Sequence, residues 1–234
     1  MTRRSFVLRT LPGALLVPLV SPSGALTVAA PTGGKARGKA RPLELFNGKD
    51  LSGWIWVPGR GDSKIADVWS VVDGNLHCKG TPAGYIRTTK DFTSYILRLQ
   101  VRHLAPGNGG VLLRLVGPDK VWPKSIEAQG QAGALGDIWN IDQFPMEVDQ
   151  SRTKGRHTAR EMPDVKEKPI GEWNDYEIRL DGGDLTLTVN GTVQNRAKNC
   201  EIVPGKIALQ SEGSEYEFRR LVLVALPDRG TKPR

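Results

Sequence analysis

Tyr95-Ile96-Leu97-Arg98-Leu99-Gln100-Val101-Arg102 decides the fold class. Tyr95, Leu97, Leu99 and Val101 alternate with Arg98, Gln100 and Arg102, a period of two that makes an extended strand with one buried and one wet face. A sheet with one wet face is antiparallel. The same alternation runs from Tyr176 to Leu180, turns through Asp181-Gly182-Gly183-Asp184, continues over Leu185 to Val189 and reaches Asn190-Gly191. Val68 to Val72, Asp73-Gly74 and Leu76 to Cys78 form another hairpin signature. Gly205 to Gln210 and Phe218 to Ala225 supply late strands. No stretch shows a helical stripe that could form the crossovers of a parallel sheet. The expectation is an all-β domain over residues 42–227, a jelly-roll sandwich of two antiparallel sheets, with a closed barrel as the alternative.

Charge narrows the partners. The chain carries +8 over 234 residues. Seven of its bases, Arg3, Arg4, Arg9, Lys35, Arg37, Lys39 and Arg41, lie in a segment free of acids, so the remainder is left near +1. A nearly neutral body is no nucleic-acid footprint. Arg3-Arg4, the apolar stretch Leu11 to Val20 and the small residues Ser23 to Ala30 have the order of an export signal, and the apolar part is too short to span a bilayer. Thr2-Arg3-Arg4-Ser5-Phe6-Val7-Leu8 resembles a twin-arginine signal, with an ordinary secretory signal as the alternative. Residues 1–30 are thus expected to be removed and 31–41 to form a flexible basic linker, with 228–234 a tail. The mature protein is expected in the periplasm or outside the cell, with no membrane segment. Cys78 and Cys200 are open to two readings, a disulfide in an oxidising compartment or two buried thiols. His77, His103 and His157 have no zinc-ligand spacing. Residues 142–171, rich in bases and prolines, read as a long surface loop, either a binding loop or a solvated insertion.

Six segments carry a resemblance. Leu45-Phe46-Asn47-Gly48-Lys49-Asp50-Leu51-Ser52-Gly53-Trp54, Val68-Trp69-Ser70-Val71-Val72-Asp73-Gly74-Asn75-Leu76, Asn108-Gly109-Gly110-Val111-Leu112-Leu113-Arg114, Ile126-Glu127-Ala128-Gln129, Gly171-Glu172-Trp173-Asn174 and Val189-Asn190-Gly191 occur in the order of the 3-keto-disaccharide hydrolase family, which the chain resembles over residues 43–226. The resemblance implies a concanavalin A-like jelly roll whose partner is an oligosaccharide or a 3-keto-glycoside. The chain departs from the pattern at Gly130-Gln131-Ala132-Gly133-Ala134-Leu135-Gly136, small and apolar where relatives run polar with histidine or aspartate. No metal ligand is carried over there, and no cofactor is expected; participation of a divalent metal stays open.

Parity supplies candidate site residues. If Leu113 and Leu115 face the core, Arg114 faces the other way, as do Glu127 and Gln129 when Ile126 and Ala128 point inward. The bland reading of Arg114 and Glu127 is a cross-strand ion pair. Joined to the resemblance, the same face is a sugar site. The carbonyl of a 3-keto sugar acidifies the C2 proton, so one base and one oxyanion stabiliser suffice. Glu127 is the expected base, Arg114 or Lys124 the stabiliser, and Gln129, Trp122 and Trp139 the substrate contacts. Asp137, Asp142 and Glu147 are the carboxylates that chain folding could bring nearby. Trp54, Trp56, Trp69 and Trp173 are read as packing residues. A cleaving enzyme should place Glu127 in a deep cleft beside a second titratable group. A non-catalytic sugar-binding module should show a shallow aromatic groove.

Overall fold

The computed structural model describes residues 41–161 and 167–227, which fall in one compact unit beginning at Lys39. The expected signal, nearly all of the linker and the tail lie outside the described residues.

Among the described residues seventeen strands follow one another: β1 Leu43–Glu44, β2 Trp54–Pro58, β3 Trp69–Val72, β4 Asn75–Cys78, β5 Gly84–Thr88, β6 Tyr95–His103, β7 Gly110–Leu115, β8 Ser125–Gln129, β9 Ile138–Ile141, β10 Glu147–Val148, β11 Thr153–Lys154, β12 His157–Thr158, β13 Asn174–Asp181, β14 Asp184–Val189, β15 Thr192–Lys198, β16 Lys206–Ser211 and β17 Tyr216–Ala225. One sheet runs β10-β15-β14-β13-β6-β17-β4-β3 with β1 beside β17, and the other runs β11-β12-β9-β8-β7-β16-β5-β2. The fold is the all-β two-sheet jelly roll expected from the alternation. At both Asp73-Gly74 and Asn190-Gly191 the two residues have positive φ, the twist that suits a tight hairpin.

The inner faces meet in one core. Leu97, Leu99 and Val101 from β6, Ile178 and Leu180 from β13, and Leu221 and Leu223 from β17 face Val111, Leu113, Ile126, Ala128, Ile207 and Leu209 of the other sheet. Trp54 and Trp69 are buried there, whereas Trp173 lies on the outer face between the guanidinium groups of Arg219, 4.0 Å from its ring centre, and Arg102, at 4.7 Å. Cys78 and Cys200 are both free and buried. Burial pushes each thiol up to about 11, which keeps them protonated and unreactive. Of the two readings of the pair, the structure takes the separate thiols.

Two expectations are corrected. Residues 142–161 are no plain loop, because β10 extends the edge of one sheet while β11 and β12 extend the other. In β7, Lys206 pairs with Leu115 but Ala208 pairs with Leu112, so β7 carries an extra residue against β16. Arg114 sits at this bulge with φ +48. Leu113 therefore packs in the main core, while Leu115 joins Val57, Tyr85, Leu112, Ala208 and Trp122 on the outer face.

Candidate functional site

Register across the second sheet aligns one row of side chains on its outer face. Arg87 of β5 pairs with Ala208, Ala208 with Leu112, Leu112 with Glu127, Glu127 with Trp139, and Trp139 with His157. Strand alternation puts these side chains on the face away from Ile126 and Ala128. Gln210 of β16 and Gln129 of β8 are two residues along their strands from this row and lie on either side of Gly110.

Glu127 is only 4% exposed. Burial, and after it the charge of Glu212, push its carboxyl up to about 8, against the opposing pull of a hydrogen bond from Gln210 and the charge of Arg156. At neutral pH most of it holds its proton. Glu212, just beyond β16, is raised too by burial and is likewise drawn down by Arg156. Its Oε2 accepts from Asn108 Nδ2 at 2.9 Å. Two carboxyls and one guanidinium thus share an electrostatic neighbourhood. Among the described residues Arg156 makes no ion pair, and its guanidinium rests 5.3 Å from the centre of the Trp139 ring. His157 stacks on that ring at 4.7 Å. Asp137 Oδ2 lies 2.7 Å from His157 Nε2 and its Oδ1 accepts from the Arg160 backbone N–H at 2.9 Å, which fixes the imidazole beside the tryptophan.

The expected site residues separate into three groups. Glu127, Gln129 and Trp139 share the outer face as parity requires, although the Gln129 amide oxygen is engaged by the Gly130 N–H. Trp122 lies on the same side, against Tyr85 at 6.1 Å between ring centres, on the 116–124 loop that Tyr85 Oη and Arg87 bind through Lys120 and Asp119. Arg114 and Lys124 are elsewhere. The bulge turns Arg114 away from Glu127, and its buried guanidinium donates to the carbonyls of Thr93, Gly182, Cys200 and Glu201. Lys124 has the parity of Ile126, lying 3.6 Å from Glu201 and over the Phe144 ring. Asp142 pairs with Lys120, and Glu147 belongs to the other sheet.

Glu212, Gln210, Asn108 and Arg156 escaped the sequence reading. Glu212 follows Gln210 at the spacing of a single strand face, a signal that was present but had no partner strand to give it meaning. Arg156 was hidden among the many bases of the 142–171 segment. Two cavities flank the row, one of about 420 Å³ beside Arg87, Asp119 and Lys206 and one of about 550 Å³ beside Asn140, Phe144 and Arg156. Glu127 lines neither of them. Among the described residues no group of three or more His, Cys, Asp or Glu is placed to hold a metal ion.

Comparison with known proteins agrees with this architecture. The family model described as the 3-keto-alpha-glucoside-1,2-lyase-like domain matches residues 42–223. A candidate glycosyl hydrolase from Parabacteroides distasonis superposes with a TM-score of 0.59 at 22% identity, covering 80% of this chain and 94% of its own. Carbohydrate-binding module CBM66 from Bacillus subtilis reaches 0.55 at 11% identity, covering 74% and 96%. The β-glucanase of Bacillus licheniformis reaches 0.51 at 11%, covering 82% and 100%. At these identities the structural likenesses establish the fold alone. No curated protein matches the sequence.

Proposed function

Because the chain belongs to the 3-keto-alpha-glucoside-1,2-lyase-like domain family, we propose that it cleaves 3-keto-glycosides by an elimination that begins at C2, with Glu127 moving the proton. The observation that supports this is the buried Glu127 carboxyl beside Glu212 and Arg156, pushed up to about 8. A base of that pKa is far stronger than an ordinary carboxylate and is still partly ionised near neutral pH. Its carboxylate takes the C2 proton. The C–H electron pair becomes the enolate, with negative charge on the C3 oxygen, and the Arg156 guanidinium supplies the compensating charge expected earlier of Arg114 or Lys124. Collapse of the enolate forms the C1–C2 double bond and breaks the bond from C1 to the leaving oxygen. That oxygen takes the proton held on Glu127, so atoms and charge balance without a redox partner. Later addition of water to the unsaturated ketone would make the overall result a hydrolysis.

Export belongs to the same proposal: Arg3-Arg4 and the apolar stretch behind them direct the domain to the periplasm or the medium, where glycosides are met. A second reading, a non-catalytic sugar-binding module, is favoured by the closure of Glu127 and its absence from both flanking cavities. The two separate when purified protein is incubated with a 3-keto-disaccharide and with its unoxidised parent, with and without divalent metal. The enzyme reading expects cleavage of the keto sugar alone and an unsaturated keto product. Binding of both sugars with no product would establish the module.

A further inference from the structure

Three buried polar atoms around Glu127 have no hydrogen-bond partner among the described residues: Trp139 Nε1, Gln210 Oε1 and Asn108 Oδ1. A buried polar atom left unpaired costs about 1–3 kcal/mol, a cost that a ligand bonded to these three atoms would remove. Strand register and contacts place the three residues beside Glu127. Trp139 stands directly opposite Glu127 on the neighbouring strand, where facing side chains begin about 5 Å apart. Gln210 Oε1 and Glu127 Oε1 both lie within 3.0 Å of the point that a Cβ on Gly110 would occupy. Asn108 is held by its Nδ2 on Glu212, which leaves its oxygen as the unused end.

The chemistry of the three is unequal. An indole N–H only donates, and an amide oxygen only accepts. The complementary ligand edge is an oxygen that only accepts, flanked by groups that donate: a ketone between two hydroxyl-bearing carbons. We infer that the Trp139 indole N–H donates to the C3 keto oxygen while the Gln210 and Asn108 oxygens take the neighbouring sugar hydroxyls, making Trp139 the residue that distinguishes an oxidised from an unoxidised sugar. This rests on the elimination reading. As charge develops on the keto oxygen the bond strengthens, and the Arg156 guanidinium against the same ring polarises the N–H in the favourable sense.

Trp139→Phe tests it, since a phenyl ring keeps an aromatic face against His157 and Arg156 and removes the donor. On a 3-keto-glucoside the variant should lose about a hundredfold or more in kcat, the scale of one lost oxyanion donor. KM and the melting temperature should change little, as should affinity for the unoxidised disaccharide. A kcat within twofold of the parent overturns the inference, as does an equal loss of affinity for oxidised and unoxidised sugars. A parent protein that turns over no keto sugar refutes the elimination reading itself, and that result is seen in the parent arm alone.

Discussion

Gln210 and Glu127 meet over Gly110. A Cβ at that glycine would stand 2.4 Å from Gln210 Oε1 and 3.0 Å from Glu127 Oε1, so the residue between the two strands must lack a side chain for the pair to form. Gly110→Ala forces one or both side chains aside. Overpacking of this kind costs about 1–3 kcal/mol, and displacement of the reacting group costs more in turnover than in folding. The expected outcome is a folded protein with a modestly lower melting temperature and at least about tenfold lower kcat/KM on a 3-keto-glycoside. Unchanged kcat/KM would show that the contact plays no part in the reaction.

Glu127 also ties stability to pH. Its pKa rises on folding from an ordinary 4.5 to about 8, so the folded state binds more protons than the unfolded state between those values. Stability is then fully present below about pH 4.5 and declines, by up to about 1.4 kcal/mol per pH unit from this group, as pH rises toward 8. Glu127→Gln cannot ionise. Denaturant titrations of the two proteins should diverge across that window, with the variant the more stable at pH 8. Parallel curves would show that the carboxyl is not so perturbed.

Glu212 raises the Glu127 pKa by its charge. Removing that charge in Glu212→Gln lowers it, and the ionised base becomes available at lower pH. The ascending limb of kcat/KM against pH should move to more acidic values. Movement in the opposite direction, or none, would exclude electrostatic coupling of the pair.

Arg114 is expected to matter to the fold and not to the chemistry. Replacing it with methionine leaves the carbonyls of Thr93, Gly182, Cys200 and Glu201 without this donor. Each buried acceptor so stranded costs about 1–3 kcal/mol, so Arg114→Met should lose at least about 3 kcal/mol in chemical denaturation. Turnover per folded molecule at low temperature should be retained. A variant of full stability with no activity would return Arg114 to the site.

The fold was legible because alternation and turn chemistry are local. Tyr95 to Arg102 shows its two faces in eight consecutive residues, and Asp73-Gly74 and Asn190-Gly191 have the backbone that their residue types favour. The shared outward face of Glu127 and Gln129 was legible for the same reason, since parity holds along an unbroken strand. Arg114 was misplaced because one extra residue in β7 reverses parity, and no feature of Leu112-Leu113-Arg114-Leu115 announces a bulge. Glu212 and Arg156 come to the site from segments 85 and 29 positions from Glu127, and only strand order brings such segments together.

The proposed role of Glu127 is to move the C2 proton. Single-turnover cleavage of a 3-keto-glycoside by the parent and by Glu127→Gln, with sugar affinity measured on both, tests it most directly. The cleavage rate of the variant should fall by at least about a hundredfold, the lower range for general-base catalysis, with affinity nearly unchanged. Cleavage by the glutamine variant at the parent's rate would contradict it.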